Sequence, residues 1–201
     1  MKKLVAPKKP SAKTAHTAAG EVRIIGGQWK RSKLPVADKP GLRPTPDRVR
    51  ETLFNWLGQD LAGWRCCDAF AGTGALGFEA ASRGATEVRL VENDAALVAQ
   101  LKSLQTKLQA HAVQVQRGDG IAVLRLLPPA SMHLIFIDPP FDANLYETAV
   151  QAAARALASD GFIYLETPRA WTEEQLSALG LTLYRHLKAG AVHAHLLKRV
   201  A

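Results

Sequence analysis

Cysteine is nearly absent. There are two in 201 residues, Cys66 and Cys67, side by side at the expected start of a strand. Neighbouring strand residues point to opposite faces, so the pair has no zinc-ligand spacing, and it makes no disulfide framework. A reduced, cytoplasmic chain is expected. No apolar run approaches the roughly 18 residues of a membrane-spanning helix. The opening MKKLVAPKKPSAK has lysines with no apolar stretch behind them, so a secretory signal is not expected either. No internal repeat is visible, and no long apolar seam suggests more than a monomer. What remains, 47% hydrophobic residues in a chain of this length, suffices for one sizeable core with an appendage.

Acidic residues are scarce in the first quarter. Residues 1–50 hold 13 Lys and Arg against three acids, Glu21, Asp38 and Asp47, a net of +10. Residues 51–201 hold 13 against 15, a net of −2, so the total of +8 is a cationic N-terminal segment on a nearly neutral body. Such a segment suits a polyanion such as nucleic acid. Residues 1–20, rich in Lys, Ala, Pro and Thr without apolar periodicity, are expected to form a disordered basic tail. A docking arm and a solubilising tail are equal alternatives for it.

From Glu21 the pattern changes. VRIIGGQWKRSKLPVA reads as a small β-hairpin with Lys30, Arg31 and Lys33 around its turn. In RPTPDRVRETLFNWL, Thr45 is the candidate N-cap and Pro46 the first residue of a helix to about Trp56. After Trp64, strand, glycine turn and helix alternate. WRCCDAF, EVRLVE, AVQVQRGD, HLIFID and GFIYLE are expected strands. GALGFEAASRG (closed by Gly84), DAALVAQLKSLQTKLQA, IAVLRLL and YETAVQAAARALA are the helices between them. WTEEQLSALG is a last helix, and LTLYRHLKAGAVHAHLLKR folds back through Gly190 as a hairpin. The expectation is an α/β fold: a doubly wound, mostly parallel, Rossmann-like sheet with a C-terminal antiparallel hairpin and a small N-terminal hairpin and helix. The chain divides accordingly into a tail (1–20), an extension (21–57) and a main domain (58–201).

DAFAGTGALG places Gly72-x-Gly74-x-x-Gly77 between a strand and a helix. Glycines there let the backbone turn tightly and approach a ligand at a helix N-terminus. Glu92 ends the next strand about 20 residues on, where a carboxylate accepts both ribose hydroxyls. Phe70, Thr73, Asn93 and Gly120 line the same turns. The pattern fits an adenosine-containing cofactor without choosing between a dinucleotide and S-adenosylmethionine. Asp68, at the tip of the first strand, favours the latter: it suits an ammonium or sulfonium charge and would repel a pyrophosphate. Asp119, ending the third strand, is placed to accept from the adenine amino group. Singly, each acid reads as a turn residue or N-cap; together, at the carboxyl ends of three strands, they outline one cleft.

FIDPPF ends the fourth strand with an acid, two prolines and a ring, a stiff elbow opening into that cleft. An exocyclic amine on a nucleobase is a poor nucleophile because its lone pair is delocalised. Asp138 and the Pro139 carbonyl, both acceptors, can hold the two amino hydrogens, Pro140 stiffens the corner, and Phe141 can stack on a flipped-out base. Such catalysis is positioning plus one proton acceptor, with no metal and no covalent enzyme intermediate. A bare Pro-Pro corner with a packed Phe is the alternative.

Asp138 to Phe141 resemble motif IV of amino methyltransferases. More narrowly, RIIGGQWKRSKL, GLRPTPDRVRETLFNWL, DAFAGTGALGFEAASRGA and FIDPPF together resemble the RsmD family, bacterial 16S rRNA (guanine(966)-N(2))-methyltransferases, over about residues 22–199. The RPTPDRVRETLFNWL block is the most specific part. The resemblance implies a class I methyltransferase fold, S-adenosylmethionine as donor with S-adenosylhomocysteine as product, and one guanine of small-subunit RNA methylated on its 2-amino group. By position it gives Asp68, Gly72 and Gly74 to the donor loop, Glu92 to the ribose, Asp119 to the adenine and Asp138 to Phe141 to catalysis. Base identity rests on the resemblance, and residues 1–20 lie outside it.

For the RNA side, Arg23, Lys30, Arg31 and Lys33 on the hairpin, with Arg43, Arg48 and Arg50 after it, are candidates to track phosphates, and Trp29 to stack on a base. Packing is the alternative for Trp29, and more so for Trp56 and Trp64. Arg43-Pro44-Thr45 has a second possible role, ordering a loop over the donor pocket. His193 and His195 share one strand face without an evident third ligand and read as structural or surface residues. Three other functions compete: methylation of adenine in DNA or of a protein glutamine, a dinucleotide-dependent oxidoreductase, and a non-catalytic RNA-binding module. Sequence-specific DNA methylation is disfavoured by the absence of a separate target-recognition domain of ~100 residues or more, the oxidoreductase by Asp68 and the tetrad Asp138 to Phe141, and the binding module by the intact acid set and tetrad.

Overall fold

The computed structural model describes residues 20–39, 42, 44–139 and 145–200. The tail at 1–19, Arg43, Pro140 and Phe141 lie outside the described residues. The elements run β1 (Glu21–Arg23), β2 (Lys33–Pro35), α1 (Asp47–Leu57), β3 (Arg65–Asp68), α2 (Ala75–Ser82), β4 (Glu87–Glu92), α3 (Ala95–Lys107), β5 (Val113–Arg117), α4 (Gly120–Leu126), β6 (Met132–Ile137), α5 (Tyr146–Ala156), β7 (Leu157–Thr167), α6 (Glu173–Ser177), β8 (Leu181–Ala189) and β9 (Val192–Arg199).

Seven strands form one sheet in the order β5-β4-β3-β6-β7-β9-β8, and β1 and β2 form a separate antiparallel pair. β3 to β7 are mutually parallel, and β9 and β8 close the sheet antiparallel. The doubly wound expectation with its C-terminal hairpin is met. Apolar runs such as Leu134-Ile135-Phe136-Ile137 supply strands with both faces buried, as a parallel sheet between helix layers requires. One cluster joins Cys66, Leu90, Phe136 and Tyr164 of the sheet to Leu53 and Phe54 of α1, Phe78 of α2 and Leu101 of α3. Val22, Ile24 and Leu34 of the N-terminal hairpin belong to it too. The opposite face joins Cys67, Val91, Ile135 and Leu165 to α4, α5 and Leu176 of α6. Both cysteines are buried and free. Winding runs outward from β3 to β5, then resumes on the other side with β6, so the switch point lies between the tips of β3 and β6. Ligands of such sheets bind there.

Two boundaries differ from expectation. Pro46, with ψ 146°, is the N-cap, and α1 starts at Asp47 without a side-chain cap. Thr45 is buried instead. Helix α5 stops at Ala156, and β7 begins at Leu157 rather than Gly161. The reason is in the last helical carbonyls, which are taken from outside. Arg199 donates to the oxygens of Ala154 and Leu157, while the Ala130 and Ser131 amides reach those of Arg155 and Ala156.

Candidate active site

Four adjacent strands, β4, β3, β6 and β7, carry acids at or beside their carboxyl ends: Glu92, Asp68, Asp138 and Glu166. Two residues before each stand Leu90, Cys66, Phe136 and Tyr164, all in the cluster on the α1 side. Period-two alternation therefore puts the four acids on that same face. Asp68 is level with Phe136, so Asp138 lies two residues further along its strand. Ile137 pairs with Leu165, so one step on Asp138 and Glu166 are level.

The glycine loop hangs on this row. Glu92 accepts from the Gly72 amide through Oε2 (2.9 Å) and from the Asp94 amide through Oε1 (2.8 Å). Asp68 is buried and accepts from the amides of Phe70 and Gly77. Gly74 has φ +78°, the left-handed region that favours glycine. A Cβ on Gly77 would lie 2.1 Å from Leu90 Cδ2, so glycine there lets α2 seat on the sheet. Gly74, the N-cap of α2, has no side chain to cap with, and Asp68 takes the Gly77 amide, so the Ala75 and Leu76 amides are left at the loop. Thr73 is buried and Phe70 half-buried. On the next strands, Asn93 and Asp119 are exposed, and Asp119 caps α4 by accepting from the Ala122 amide (2.7 Å). Gly120 is pressed on the β3 tip, where a Cβ would meet the Ala69 oxygen at 2.0 Å.

Electrostatically the row is poor in countercharge. Among the described residues, Asp68, Asp138 and Glu166 form no ion pair. Burial pushes the Asp68 carboxyl up to about 7, against the pull of its two backbone donors. Burial, then the facing Glu166 and Asp68, hold Asp138 well above the usual carboxylate range. Burial also raises Glu166, while hydroxyl donors Tyr164 and Thr45 pull it down. Unpaired carboxyls this close favour a cation or hydrogen-bond donors and repel a phosphate.

The basic candidates sit on the extension. Arg23, Lys30, Arg31, Lys33 and Arg48 are exposed, with Lys33 paired to Glu21 (2.7 Å). Trp29 is half-buried against the core, and its amide donates to Ser82 Oγ (2.9 Å).

Residues 22–198 match the family model described as Conserved hypothetical protein 95. The Ribosomal RNA small subunit methyltransferase D of Escherichia coli is 40% identical over 189 residues, 89% of this chain and 93% of that relative. Its Haemophilus influenzae namesake is 42% identical over 182 residues, 84% and 94% of the two chains. The chain belongs to the RsmD family. The solved structure of the Escherichia coli protein yhhF covers 90% of this RsmD-family chain and 99% of its own at a TM-score of 0.76 and 39% identity.

Within the RsmD-family chain, one phosphate-tracking candidate is overturned. Arg50 is fully buried. It donates to the oxygens of Thr45 (3.2 Å) and Arg23 (2.8 Å), to Asp47 (2.7 Å) and to Glu79 (3.4 Å). Enclosed among these acceptors, it has no surface to offer RNA. Sequence reading also missed Glu79, which accepts from the amides of Ile25 (2.7 Å) and Gly26 (2.8 Å) and from Arg83 (2.9 Å). Glu166 was missed as well; only the sheet order, which sets β7 beside β6, gives its position away. Two described residues ahead of α1 reach these loops: Lys39 pairs with Asp94, and Leu42 Cδ1 lies 3.2 Å from where a Gly72 Cβ would be.

His193 and His195 do gain a third ring, His186 of β8, at centroid distances of 5.1 and 4.9 Å. His195 is saturated between the Leu165 oxygen and the Trp171 amide, and burial pushes it down to about 4. Among the described residues no set of three or more His, Cys, Asp and Glu is arranged to hold a metal. A cavity of about 340 Å³ between α5 and α6, lined by Glu147, Trp171, Glu174, Gln175 and Ala178, contains none of the candidate residues.

Proposed function

We propose that this chain transfers a methyl group from S-adenosylmethionine to the exocyclic 2-amino group of one guanine in 16S rRNA of the small ribosomal subunit. The relatives' name, small subunit rRNA methyltransferase, supports the reaction and RNA class. The observation that supports it best in this chain is the row of same-face acids beside the N-terminus of α2, where the Ala75 and Leu76 amides remain for a ligand. That combination suits a ligand with a ribose, a cationic centre and a carboxylate.

The residues fit that ligand. Each Glu92 oxygen accepts one amide and keeps a lone pair for a ribose hydroxyl. The Ala75 and Leu76 amides at the start of α2 suit the carboxylate, and Asp68 suits the ammonium or sulfonium. Asp119 spends Oδ1 on its cap, and its Oδ2 is the atom proposed to meet the adenine amino group. Phe70, Thr73, Asn93 and Gly120 complete the surround. A dinucleotide would set its pyrophosphate against this acid row, which disfavours that reading.

S-adenosylmethionine supplies an electrophilic methyl group on sulfur. The chain's part is to hold the amine in line and take its proton. Asp138 and the Pro139 carbonyl accept the amino hydrogens, Phe141 provides the stacking surface and Pro140 stiffens the corner. The environment that raises Asp138 also makes it a stronger base once ionised. Residues 21–57, with Arg23, Trp29, Lys30, Arg31, Lys33, Arg43 and Arg48, contact the RNA. The protein acts as a monomer in the cytoplasm, on the subunit or an assembly intermediate. The test is incubation with methyl-labelled donor and small subunits lacking the modification, followed by mapping of the label. N2-methylguanine at one position is expected; label on adenine or on a protein refutes the reading.

A further inference from the structure

We propose that Asp138 and Glu166 work as one proton-sharing carboxyl pair, in which Glu166 is a positioning residue that governs when Asp138 takes the amine proton. The inference rests on the methyl-transfer reading above and adds a second acid to it.

The geometry begins with register. One step beyond the Ile137–Leu165 pair, the two acids are level on adjacent strands and on one face. Cβ atoms so placed are ~5 Å apart, and like charges directly opposite disfavour each other. Glu166 is buried and anchored: its Oε1 accepts from the Tyr164 hydroxyl at 2.7 Å, and the Thr45 hydroxyl also donates to it. Thr45 is itself fixed, because Arg50 Nε holds its main-chain oxygen at 3.2 Å. Among the described residues, the titratable and hydroxyl groups facing the pair come from four elements. Tyr164 comes from β7, Asp138 from β6, Asp68 from β3 and Thr45 from the segment before α1. On β9 the residue opposite Glu166 is Ala194, flanked by His193 and His195, which alternation places on the other face. No described cation pairs with either acid. Two such carboxyls do not both ionise readily, so one proton stays between them and the titration belongs to the pair.

The proton balance follows. The nitrogen would gain its methyl group as the donor's carbon–sulfur bond breaks with its electron pair left on sulfur; the amine's N–H bond then breaks, and an O–H bond forms on Asp138. The pair passes from one proton to two, then returns one to solvent. Glu166 never touches the base; it acts through Asp138.

Two measurements on Glu166→Gln test this. In the chain alone, the Asp138 carboxyl is followed by ¹³C NMR through a pH titration, with no donor or RNA present. Its midpoint is expected to move to lower pH in the variant; an unchanged or higher midpoint overturns the pair. Tyr164→Phe removes the donor that helps Glu166 ionise, leaves the shared proton on Glu166 and should move Asp138 in the same direction, which keeps the test alive if Glu166→Gln fails to fold. In turnover with small subunits, the acid limb of the kcat profile should shift to lower pH. The plateau should fall about three- to tenfold, because the remaining base is weaker, while KM is kept. A uniform loss at every pH means a structural role only and also overturns the pair. If the wild-type chain methylates nothing while the NMR shift appears, the methyl-transfer reading fails and the carboxyl pair stands.

Discussion

Replacing Glu79 by alanine should cost more stability than any single change on the protein's surface. Its carboxylate is fully buried on α2 and takes donors from two directions. The amides of Ile25 and Gly26 arrive at 2.7 and 2.8 Å from the hairpin, and Arg50 and Arg83 arrive at 3.4 and 2.8 Å from α1 and from the end of α2. Without it, two guanidinium groups share an enclosed space with no intervening acid. Breaking a buried pair in this way costs about 3–5 kcal/mol, and each amide left without an acceptor about 1–3 more. The terms overlap, because water enters the space vacated and Arg50 keeps Asp47 and the oxygens of Thr45 and Arg23. About 5 kcal/mol is the working figure, a large part of the roughly 5–15 available to a domain. At about 2–4 °C per kcal/mol for a chain of this size, Tm should fall by ~10–20 °C. Circular dichroism melts and urea titrations with an unchanged slope are the measurement. Arg50→Met with Glu79→Leu should lose less than the two single changes summed, since an apolar replacement leaves no charge behind. A loss below about 1 kcal/mol for Glu79→Ala would refute the assignment of the network as the joint between hairpin and sheet.

Asp138→Asn should cut methyl transfer at least about a hundredfold while donor affinity, read by calorimetry, changes little, and full turnover would remove its acceptor role. Lys30→Ala, Arg31→Ala and Lys33→Ala together should weaken RNA binding and reduce the log–log salt slope by roughly two to three. Lys33 contributes least, being already paired with Glu21; an unchanged slope would return the hairpin to a solvated face. Asp68 sits near 7 in the folded chain and at about 4 when unfolded. Between those values the folded state holds a proton that the unfolded state has lost, so this group's contribution to stability is present below about pH 4 and is lost as pH rises to about 7. The full swing is on the order of 4 kcal/mol. His195, pushed down to about 4, acts oppositely in part of that window: its contribution is lost as pH falls from about 6.5. The comparison is therefore with Asp68→Asn, whose urea midpoints should fall less steeply from pH 4 to 7 than the wild type's; identical slopes would sink the argument.

The parallel sheet, its hairpins and the tips of its first four strands were legible because strand, glycine and helix alternate with few interruptions, and because acids at strand ends stand out. Glu166 was not. A glutamate near the end of GFIYLET looks like any strand-ending polar residue until the sheet order sets it beside Asp138. Arg50 and Glu79 misled for a related reason. Each lies on a helix whose other residues give no hint that a charge faces inward, and their partners are 29 residues apart in sequence and further still in the hairpin. Thr45 carried a genuine capping signal, Thr before Pro, but its hydroxyl has a buried acid to serve. The end of α5 was overrun because its C-terminal carbonyls are claimed by Arg199, more than 40 residues on.

The turn between β1 and β2 would be expected to behave as surface loop. Yet Ile25 and Gly26 are bound to Glu79, the Gln28 amide donates to the Ser82 oxygen at 2.8 Å, and Ser82 Oγ bridges the Trp29 amide and the Gly26 oxygen. Both anchors lie on α2, whose other end begins at the glycine loop. Hydrogen exchange at these turn amides should then be governed by the opening of α2 rather than by local fraying. A segment of the chain's periphery would share the slow clock of its interior, and the hairpin could not tilt toward a bound strand without disturbing the helix that starts beside Glu92.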